Sequence, residues 1–297
     1  MQKDPGVSEV RRFNRLVTQR VGALDDRFLA RDRPLGEARL LWEIGADGCD
    51  VRVLRARLAL DSGYLSRLLR SLERAGLVSV EPGERDGRTR TARLTSGGRR
   101  EWTELDRRSD RLALSFLAPL NEAQRTRLVA AMSDVERLLT AGMIEIESVD
   151  PVHPHARHCL GEYFAEIDRR FEGGFDPASS LPAGERELRP PAGVMLVATL
   201  RSEPVGCGAL KFHPRRPAEI KRMWVAPSAR GLGVGRRLLA ELETTAAARG
   251  DRVVRLNTNK ALVEAIGMYH SAGYTEVERF NDEPYAHHWF EKRLPEA

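Results

Sequence analysis

A glycine-rich segment in the second half of the chain has the composition of an anion-binding loop. Its residues are Arg230, Gly231, Leu232, Gly233, Val234 and Gly235, and Arg236 follows them. Glycines let the backbone come close to an anion, and unpaired N–H groups at the start of a helix attract phosphate. The segment is not a P-loop, because Arg236, Arg237 and Leu238 stand where that motif requires Lys and then Ser or Thr. It is not the dinucleotide fingerprint either, because Arg236 occupies the position that needs Gly or Ala. The alternative to a phosphate site is a plain tight turn.

The loop joins a predicted strand to a predicted helix. Residues 219–225 read as a strand, which Pro227 and Ser228 end. Residues 234–249 carry apolar side chains at helical spacing and predict a helix. A loop between these elements presents its N–H groups at the positive end of the helix dipole, where a phosphate group would bind.

The loop matches the Arg-x-x-Gly-x-Gly signature of the GNAT acyltransferases, and this half of the chain resembles that family from near His155 to its end. The other matching features, in chain order, are a strand ending Met223-Trp224-Val225, a strand at 253–258 followed by Asn259, and a helix with Tyr269 that ends at Gly273-Tyr274. The resemblance implies an α/β fold with a central mixed sheet. It also implies acetyl-CoA as acyl donor and a small-molecule amine or a protein lysine as acceptor.

The same resemblance implies roles for individual residues. Tyr269 stands where the family places the general acid for the departing thiolate, and a tyrosine pKa of about 10 suits that step. The backbone around Trp224 and Val225 would pair with the pantetheine arm and offer an oxyanion N–H group, and Asn259 would bond the same arm. The predicted acetyl-CoA-binding set is Trp224, Val225, Arg230, Gly231, Leu232, Gly233, Val234, Gly235, Arg236 and Asn259.

The sequence indicates the general base less clearly than the general acid. Glu219, at the start of the strand, is the candidate general base, acting through water, and a solvated strand-end charge is an equal alternative. His287 and His288 on the last strand are rival bases, and for Tyr269 the alternative is an aromatic residue that only packs. Four acidic residues could attract a cationic amine, although a solvated face is slightly favoured: Glu162, Glu166, Asp168 and Glu172.

A basic segment in the first half predicts a nucleic-acid surface. Residues 52–100 contain twelve arginines and five acidic residues, a net charge of +7 in a chain of +5. Asp61 is a predicted N-cap for a helix at 62–74, which Gly76 ends. Leucines line one side of this helix, and the other side suits a DNA major groove, although a solvated charged face is the alternative. The predicted DNA contacts on this helix are Ser62, Gly63, Ser66, Arg67 and Arg70.

Two alternating segments, 77–81 and 89–94, flank a polar tip and predict a β-hairpin. The helix and hairpin together resemble the winged helix of the MarR family. Asp86-Gly87-Arg88 stands in place of the Asp-x-Arg wing motif, and Leu94-Thr95-x-x-Gly98 matches the exit into a long helix. The resemblance implies that Asp86 orders an arginine and that Arg88 enters the minor groove. Arg90, on the second strand, completes the predicted DNA-binding set.

Helices are also predicted at 7–31, 36–44, 51–59, 99–117 and 121–146 from their apolar periodicity. The MarR resemblance implies that the first helix and the last two helices interlock two subunits, so we expect a homodimer on a pseudo-palindromic operator in double-stranded DNA. Packing within one subunit is the alternative. The resemblance also implies a small aromatic or anionic effector, for which Phe13, Phe28 and Trp42 could form a pocket, although core packing is favoured for them.

Length and composition place these motifs in two domains. The 297 residues allow a mainly α winged helix-turn-helix domain at 1–148, a stiff linker with Pro151 and Pro154 at 149–154, and an α/β GNAT-like domain at 155–297. We expect a cytoplasmic protein without a membrane partner, because no long apolar run or signal peptide is seen and three scattered cysteines do not form a disulfide pattern. Three histidines near the linker lack further ligands, so no metal is expected.

The favoured hypothesis is therefore a bifunctional transcriptional regulator and acetyl-CoA-dependent N-acetyltransferase. One alternative is a regulator whose GNAT half is a non-catalytic sensor of acyl-CoA or another ligand. Another is an enzyme whose MarR half serves mainly for dimerisation.

Overall fold

The computed structural model describes residues 4–23, 28–82, 89–181 and 183–295. Contacts divide the chain into two compact units, Met1–Ala131 and Met132–Ala297, and the division falls within one long helix. None of the helices in these ranges is long and apolar enough to cross a membrane.

The first unit is mainly helical, with a small antiparallel sheet. Its helices are α1 (Pro5–Arg20), α2 (Leu35–Ile44), α3 (Val51–Leu58), α4 (Ser62–Arg74), α5 (Ser96–Leu117) and the first part of α6 (Glu122–Gly142). The sheet has the order β1-β3-β2, from β1 (Cys49–Asp50), β2 (Val78–Pro82) and β3 (Arg90–Leu94). Strands β2 and β3 pair antiparallel, which confirms the predicted hairpin.

Helix α4 begins and ends where its sequence predicts. The Asp61 carboxylate accepts a hydrogen bond from the Tyr64 N–H at 2.8 Å, which satisfies a backbone donor of the first turn. Gly76 has a φ of +69°, a conformation that glycine adopts without strain, and it closes the helix. The leucine stripe of α4 is buried against α2 and the hairpin, so the opposite side of the helix is left for solvent or a partner.

The prediction of one helix over residues 7–31 was wrong beyond Arg20. Gly22 has a φ of +66°, and its N–H bonds to the carbonyl of Gln19, so the chain turns at a C-terminal cap. Phe28–Ala30 form a short 3₁₀ turn in which Leu29 and Ala30 also have positive φ. The apolar periodicity continues through the break because Phe28 still packs against the core.

The second unit is an α/β structure with a mixed sheet, as predicted, and the sheet has seven strands. The strand order is β4-β5-β6-β7-β8-β10-β9. Its elements are β4 (Ile144–Ser148), α7 (Pro154–Arg170), β5 (Gly193–Leu200), β6 (Glu203–Lys211), β7 (Ala218–Val225), α8 (Val234–Ala248), β8 (Val253–Thr258), α9 (Val263–Ser271), β9 (Thr275–Glu276) and β10 (His288–Arg293).

Strand β4 corrects the prediction that the last helix of the first domain continues to Ile146. Helix α6 ends at Gly142, and Ile144–Ser148 pair antiparallel with β5. Ile144 is buried in the core of the second unit, and the Arg237 guanidinium donates to its carbonyl at 2.9 Å. Alternating isoleucines and glutamates fit a strand at the edge of a sheet, but only the neighbour β5 makes the strand stable.

The sheet is covered on both faces. Successive residues of β5 point to opposite sides, so Leu196 packs in the cluster that contains α8, and Met195 and Val197 pack in the cluster that contains α7. The pair β7–β8 is parallel and is joined by α8, while the other neighbouring strands are antiparallel. The β7–β8 ladder contains only the pairs Ala218–Val254 and Glu219–Arg255, so the carboxyl half of β7 lies unpaired on that side.

Candidate functional site

The glycine loop has the backbone geometry of an anion cradle. Gly231 and Gly233 have φ values of +81° and +78°, which L side chains rarely adopt. Gly233 is the N-cap of α8, so the first-turn N–H groups from Val234 onward have no intrahelical acceptor. A Cβ atom at Gly235 would lie 3.0 Å from the Met268 sulfur, so the third glycine keeps the helix start close to α9.

A cavity of about 550 Å³ opens in front of this loop. It brings together most of the predicted acetyl-CoA-binding residues with the predicted general acid. The predicted residues that line it are Trp224, Val225, Arg230, Gly231, Gly233, Val234, Gly235, Arg236 and Tyr269. Leu232 instead packs against the core of the second unit, and Asn259 lies elsewhere. The open half of β7 therefore faces the same space as the loop.

Arg230 is held by an acidic residue that the sequence analysis placed on a solvated face. Its guanidinium donates to both carboxylate oxygens of Glu166, at 2.8 and 2.6 Å, and the Trp224 indole N–H donates to the same carboxylate at 3.1 Å. The Glu166 side chain is only 13% exposed, so the solvated-face interpretation was wrong for this residue. The Glu166 carboxylate also pairs with Arg170 at 3.2 Å, so it is shared between two guanidinium groups of the cavity. The first-turn N–H groups of α8 and the exposed Arg236 add to the attraction for an anion.

Strand β7 bulges at Arg222, directly beside the cavity. Cys207 pairs with Trp224 and Ala209 with Lys221, so two residues of β7 stand opposite Gly208 alone. Arg222 has a φ of +57°, and its carbonyl accepts a hydrogen bond from the Cys207 thiol at 3.2 Å. The bulge turns the end of β7 away from its regular path and opens the space in front of it.

A second, smaller cavity of about 90 Å³ lies next to the first. It shares Tyr163, Met223 and Tyr269 with the first cavity. Asn259 lines the second cavity and not the first. The Asn259 amide donates to the Tyr285 carbonyl at 2.7 Å and accepts from the Ala261 N–H at 2.9 Å, so it holds the loop after β8. Its contact with a cofactor stays a prediction.

Tyr269 lies where the two cavities meet. Its side chain is buried, and its ring packs with those of Tyr274 and Phe290, each 5.9 Å away between centroids. Burial raises the pKa of Tyr269 well above the ordinary tyrosine value. The hydroxyl therefore carries its proton throughout the neutral range, as a general acid must.

Glu219 lines neither cavity. It is buried and forms an ion pair with Lys221 at 2.8 Å, and Lys221 also donates to the Asn257 amide at 3.1 Å. Burial raises the pKa of Glu219, but the hydrogen bond from Lys221 and the charges of Lys221, His213 and Lys211 together outweigh burial, so the pKa ends below its ordinary value. Lys221 and Asn257 do line the second cavity, so Glu219 reaches it only through them. Its role as a base stays a prediction.

The rival histidines also lie outside both cavities. His288 pairs with Glu276 at 2.7 Å, and the His287 backbone N–H bonds to Thr258.

Sequence reasoning missed the bulge residue Arg222, and it did not predict that Glu166 pairs with Arg230. The run Gly206-Cys207-Gly208 was the available signal, because glycines inside a strand often mark a bulge.

The predicted DNA-contacting face of α4 is accessible. Ser62, Gly63, Arg67 and Arg70 are exposed, and Ser66 is half-buried. Arg90, at the start of β3, is exposed as well. Asp86 and Arg88 lie outside the described residues, so their predicted contacts with DNA stay predictions.

Comparisons with known proteins match both halves. The Acetyltransferase (GNAT) family model matches residues 161–274, and the MarR family model matches residues 32–89. An IAA acetyltransferase from Azospirillum brasilense is 35% identical over 113 residues, which are 37% of this chain and 73% of that protein. Among solved structures, an acetyltransferase of the GNAT family from Staphylococcus aureus MU50 is 19% identical with a TM-score of 0.45, covering 51% of this chain and 99% of that one. The PcaV transcriptional regulator from Streptomyces coelicolor is 24% identical with a TM-score of 0.37, covering 45% of this chain and 96% of that one.

Proposed function

We propose that this chain, which belongs to the acetyltransferase (GNAT) family and carries a MarR-family segment ahead of that domain, is a DNA-binding regulator that also transfers an acetyl group from acetyl-CoA to an amine. One observation carries the enzymatic part. The glycine loop, the unpaired half of β7 and Tyr269 all face the cavity of about 550 Å³.

The residues of this cavity suit acetyl-CoA as the donor. The positive-φ glycines and the start of α8 offer N–H groups to a pyrophosphate, and Arg236 adds an exposed positive charge. The carboxyl half of β7 offers backbone groups that β8 does not use, so an amide-containing pantetheine arm can pair with Trp224 and Val225. If β7 and β8 paired along their whole length, β8 would occupy these backbone groups, and the pantetheine arm would have no strand to pair with.

In the proposed reaction the acceptor nitrogen forms a bond to the thioester carbonyl carbon, and the carbon–sulfur bond breaks. The departing thiolate takes a proton from the Tyr269 hydroxyl, and Tyr269 is reprotonated from solvent. The acceptor loses two protons in all, so one ends on sulfur and the other in solvent. Met223, Trp224 and Val225 provide the nearby backbone, where an N–H group could stabilise the oxyanion.

Glu219 remains the proposed general base, acting through water. Its lowered pKa keeps it ionised, and its route to the second cavity passes Lys221 and Asn257. An ionised carboxylate is a weak base towards an ammonium group, so this arrangement favours acceptors that are partly deprotonated near neutral pH. Activity should therefore rise with pH as the free amine form of the acceptor increases.

The first unit binds double-stranded DNA in this proposal. Arg67 and Arg70 project from α4 on the face opposite the buried leucines, and Arg90 lies on the hairpin. Arginine can pair bidentately with guanine or contact phosphate, and exposed serines can bond either.

We also propose a homodimer on a pseudo-palindromic site. Helix α1 leaves Val10 and Leu16 each 57% exposed, and α6 leaves Leu138 and Leu139 68% and 66% exposed. Apolar stripes of this kind on long helices favour burial against another subunit. The Leu138→Asp variant should lower the molar mass measured by light scattering to that of a monomer. An unchanged mass would remove α6 from the interface.

A small aromatic or anionic effector is also part of the proposal for the first unit. Trp42 stacks on Trp102 at 5.2 Å between centroids, and Phe13 is 43% exposed, so aromatic surface is available there.

The test of the enzymatic proposal is acetyl-CoA turnover with a panel of small amines and peptide lysines, with and without duplex DNA. We expect turnover of at least one class of acceptor. A rate that changes with DNA would show that the two halves communicate. Tight acetyl-CoA binding by calorimetry without turnover of any acceptor would refute the enzyme and favour an acyl-CoA sensor.

A further inference from the structure

The second cavity contains a cation that the proposed reaction does not use. Arg222 lines this cavity, and its guanidinium lies 4.8 Å from the centroid of the Phe164 ring and 5.6 Å from that of Tyr163. Among the residues that the structure describes, no carboxylate forms an ion pair with it. The guanidinium also forms a hydrogen bond with the Tyr163 hydroxyl. Stacking on aromatic rings occupies the faces of a guanidinium group but leaves the other N–H groups at its edge available.

The other charged groups of the cavity are already engaged. Lys221 is paired with Glu219 and bonded to Asn257. The Glu283 carboxylate accepts hydrogen bonds from the Ser180 hydroxyl and the Leu181 N–H, both at 2.9 Å, and so fastens the loop after α7. The donors left without a charged partner are therefore those of Arg222.

The backbone holds Arg222 in place. The β7 bulge gives it a positive φ, and the Cys207 thiol bonds to its carbonyl. Gly208 on the facing strand lets Met223 pack closely beside the bulge, because a Cβ atom there would lie 2.6 Å from the Met223 sulfur. A cation held this way loses little conformational freedom when it binds an anion.

We propose that Arg222 binds a carboxylate of the acceptor, so that the acceptor is a small amino acid or a similar amine that also carries an anionic group. This inference rests on the acetyltransfer proposed above and names the substrate class of the same site. A guanidinium fork matches the two oxygens of a carboxylate. With its carboxylate on Arg222, the acceptor extends its amine towards Tyr269, where the second cavity meets the first.

The size and walls of the cavity agree with this class. Its volume of about 90 Å³ admits a small head group and excludes a folded protein surface. The apolar walls come from aromatic side chains, which are Phe171, Phe175 and Tyr285. A lysine side chain or a polyamine offers no carboxylate to Arg222 and its charge is repelled there, while the Glu283 carboxylate in the same wall already accepts hydrogen bonds from Ser180 and Leu181.

The experiment compares matched acceptors that differ only in the carboxylate. Alanine, methionine and phenylalanine would each be assayed beside the corresponding amide and decarboxylated amine, with peptide lysine as a further acceptor. We measure kcat/KM by thiol release for the wild type, Arg222→Met and the control Arg249→Met. Arg249 stacks on Phe212 at 4.0 Å and lines neither cavity, so its variant loses a similar stacking contact elsewhere.

We expect Arg222→Met to lower kcat/KM for the best amino acid by about 10- to 100-fold and for its amide by less than about 3-fold. The control variant Arg249→Met should have the wild-type kcat/KM for both the amino acid and its amide. Equal losses for acid and amide, or a wild type that prefers the decarboxylated amine or peptide lysine, would overturn the inference while acetyltransfer stands.

A failure of the enzymatic proposal can be recognised separately. If acetyl-CoA binds and no acceptor is turned over, binding of N-acetylated amino acids and their amides is measured by calorimetry. If binding of the acids depends on Arg222, the anion site stands, but in a protein that senses its ligand and does not acetylate it. Binding that does not depend on Arg222, or no binding, would overturn the site as well.

Discussion

Replacing Tyr269 by phenylalanine removes one hydroxyl group and keeps the ring that packs with Tyr274 and Phe290. No described residue forms a hydrogen bond with this hydroxyl, so the variant should keep the wild-type free energy of unfolding within about 1 kcal/mol. Any large change in turnover then reports on chemistry and not on folding.

The expected loss of turnover follows from the step that Tyr269 serves. Proton donation by a positioned acid contributes about 10²- to 10⁴-fold, and a thiolate with a conjugate-acid pKa of about 8.5 is a good leaving group that needs less help. We therefore expect kcat to fall by about 10²-fold, or about 2.7 kcal/mol. Since burial raises the pKa of Tyr269, the loss should be the same at every pH in the neutral range.

The assay is thiol release at saturating acetyl-CoA, with acetyl-CoA affinity measured by calorimetry. Tyr274→Phe is the matched control, because it removes another buried hydroxyl from the same aromatic cluster and Tyr274 lines neither cavity. We expect unchanged acetyl-CoA binding in both variants and near wild-type turnover in the control. A Tyr269→Phe enzyme within threefold of the wild type would show that the tyrosine only packs.

Three further predictions test other parts of the molecule. Arg67→Ala should weaken binding to duplex DNA and reduce the slope of log affinity against log salt by about one, measured by fluorescence anisotropy; an unchanged slope would mean that Arg67 contacts no phosphate. Glu101→Gln should lower the free energy of unfolding by about 2–3 kcal/mol at pH 7, because Glu101 is buried and accepts from Arg31 at 2.9 Å. The Arg31 bond lowers the pKa of Glu101, so this difference should shrink as pH falls below about 4.5, and urea unfolding at pH 7 and pH 3 would show a constant difference if the reasoning were wrong. Gly208→Ala should destabilise the protein by about 1 kcal/mol in urea unfolding, because its Cβ would lie 2.6 Å from the Met223 sulfur and 2.9 Å from Leu242 Cδ1, and a neutral result would mean that these side chains move without cost.

Elements with strong local signals could be predicted closely. Asp61 and Gly76 mark the ends of α4 by side-chain capping and positive φ, which depend on a few adjacent residues. Gly22 ends α1 in the same way, and the apolar periodicity that continues past it concealed this signal. Strand β4 was missed for a different reason, because Ile144–Ser148 become a strand only through pairing with β5.

The same difference between local signals and long-range contacts applies to the candidate site. Glycines before an apolar helix were enough to predict the turn and the helix start at 230–236, because the conformation of a helix start is local. Glu166 lies 64 residues before Arg230, and nothing in either neighbourhood indicates their pairing. The position of Asn259 in the second cavity likewise depends on the Tyr285 loop.

The sequence by itself determined the outward arginine face of α4 and the turn and helix start at 230–236. Each follows from periodicity, capping and glycine conformation, which act over a few residues. The tertiary structure decided which charges remain free. It paired Arg230 with Glu166 and Glu219 with Lys221, and it left Arg222 on a bulge with no paired carboxylate among the described residues. Ion pairing of this kind depends on strand register and on which helix covers each sheet face, because these set the distances between groups far apart in the chain.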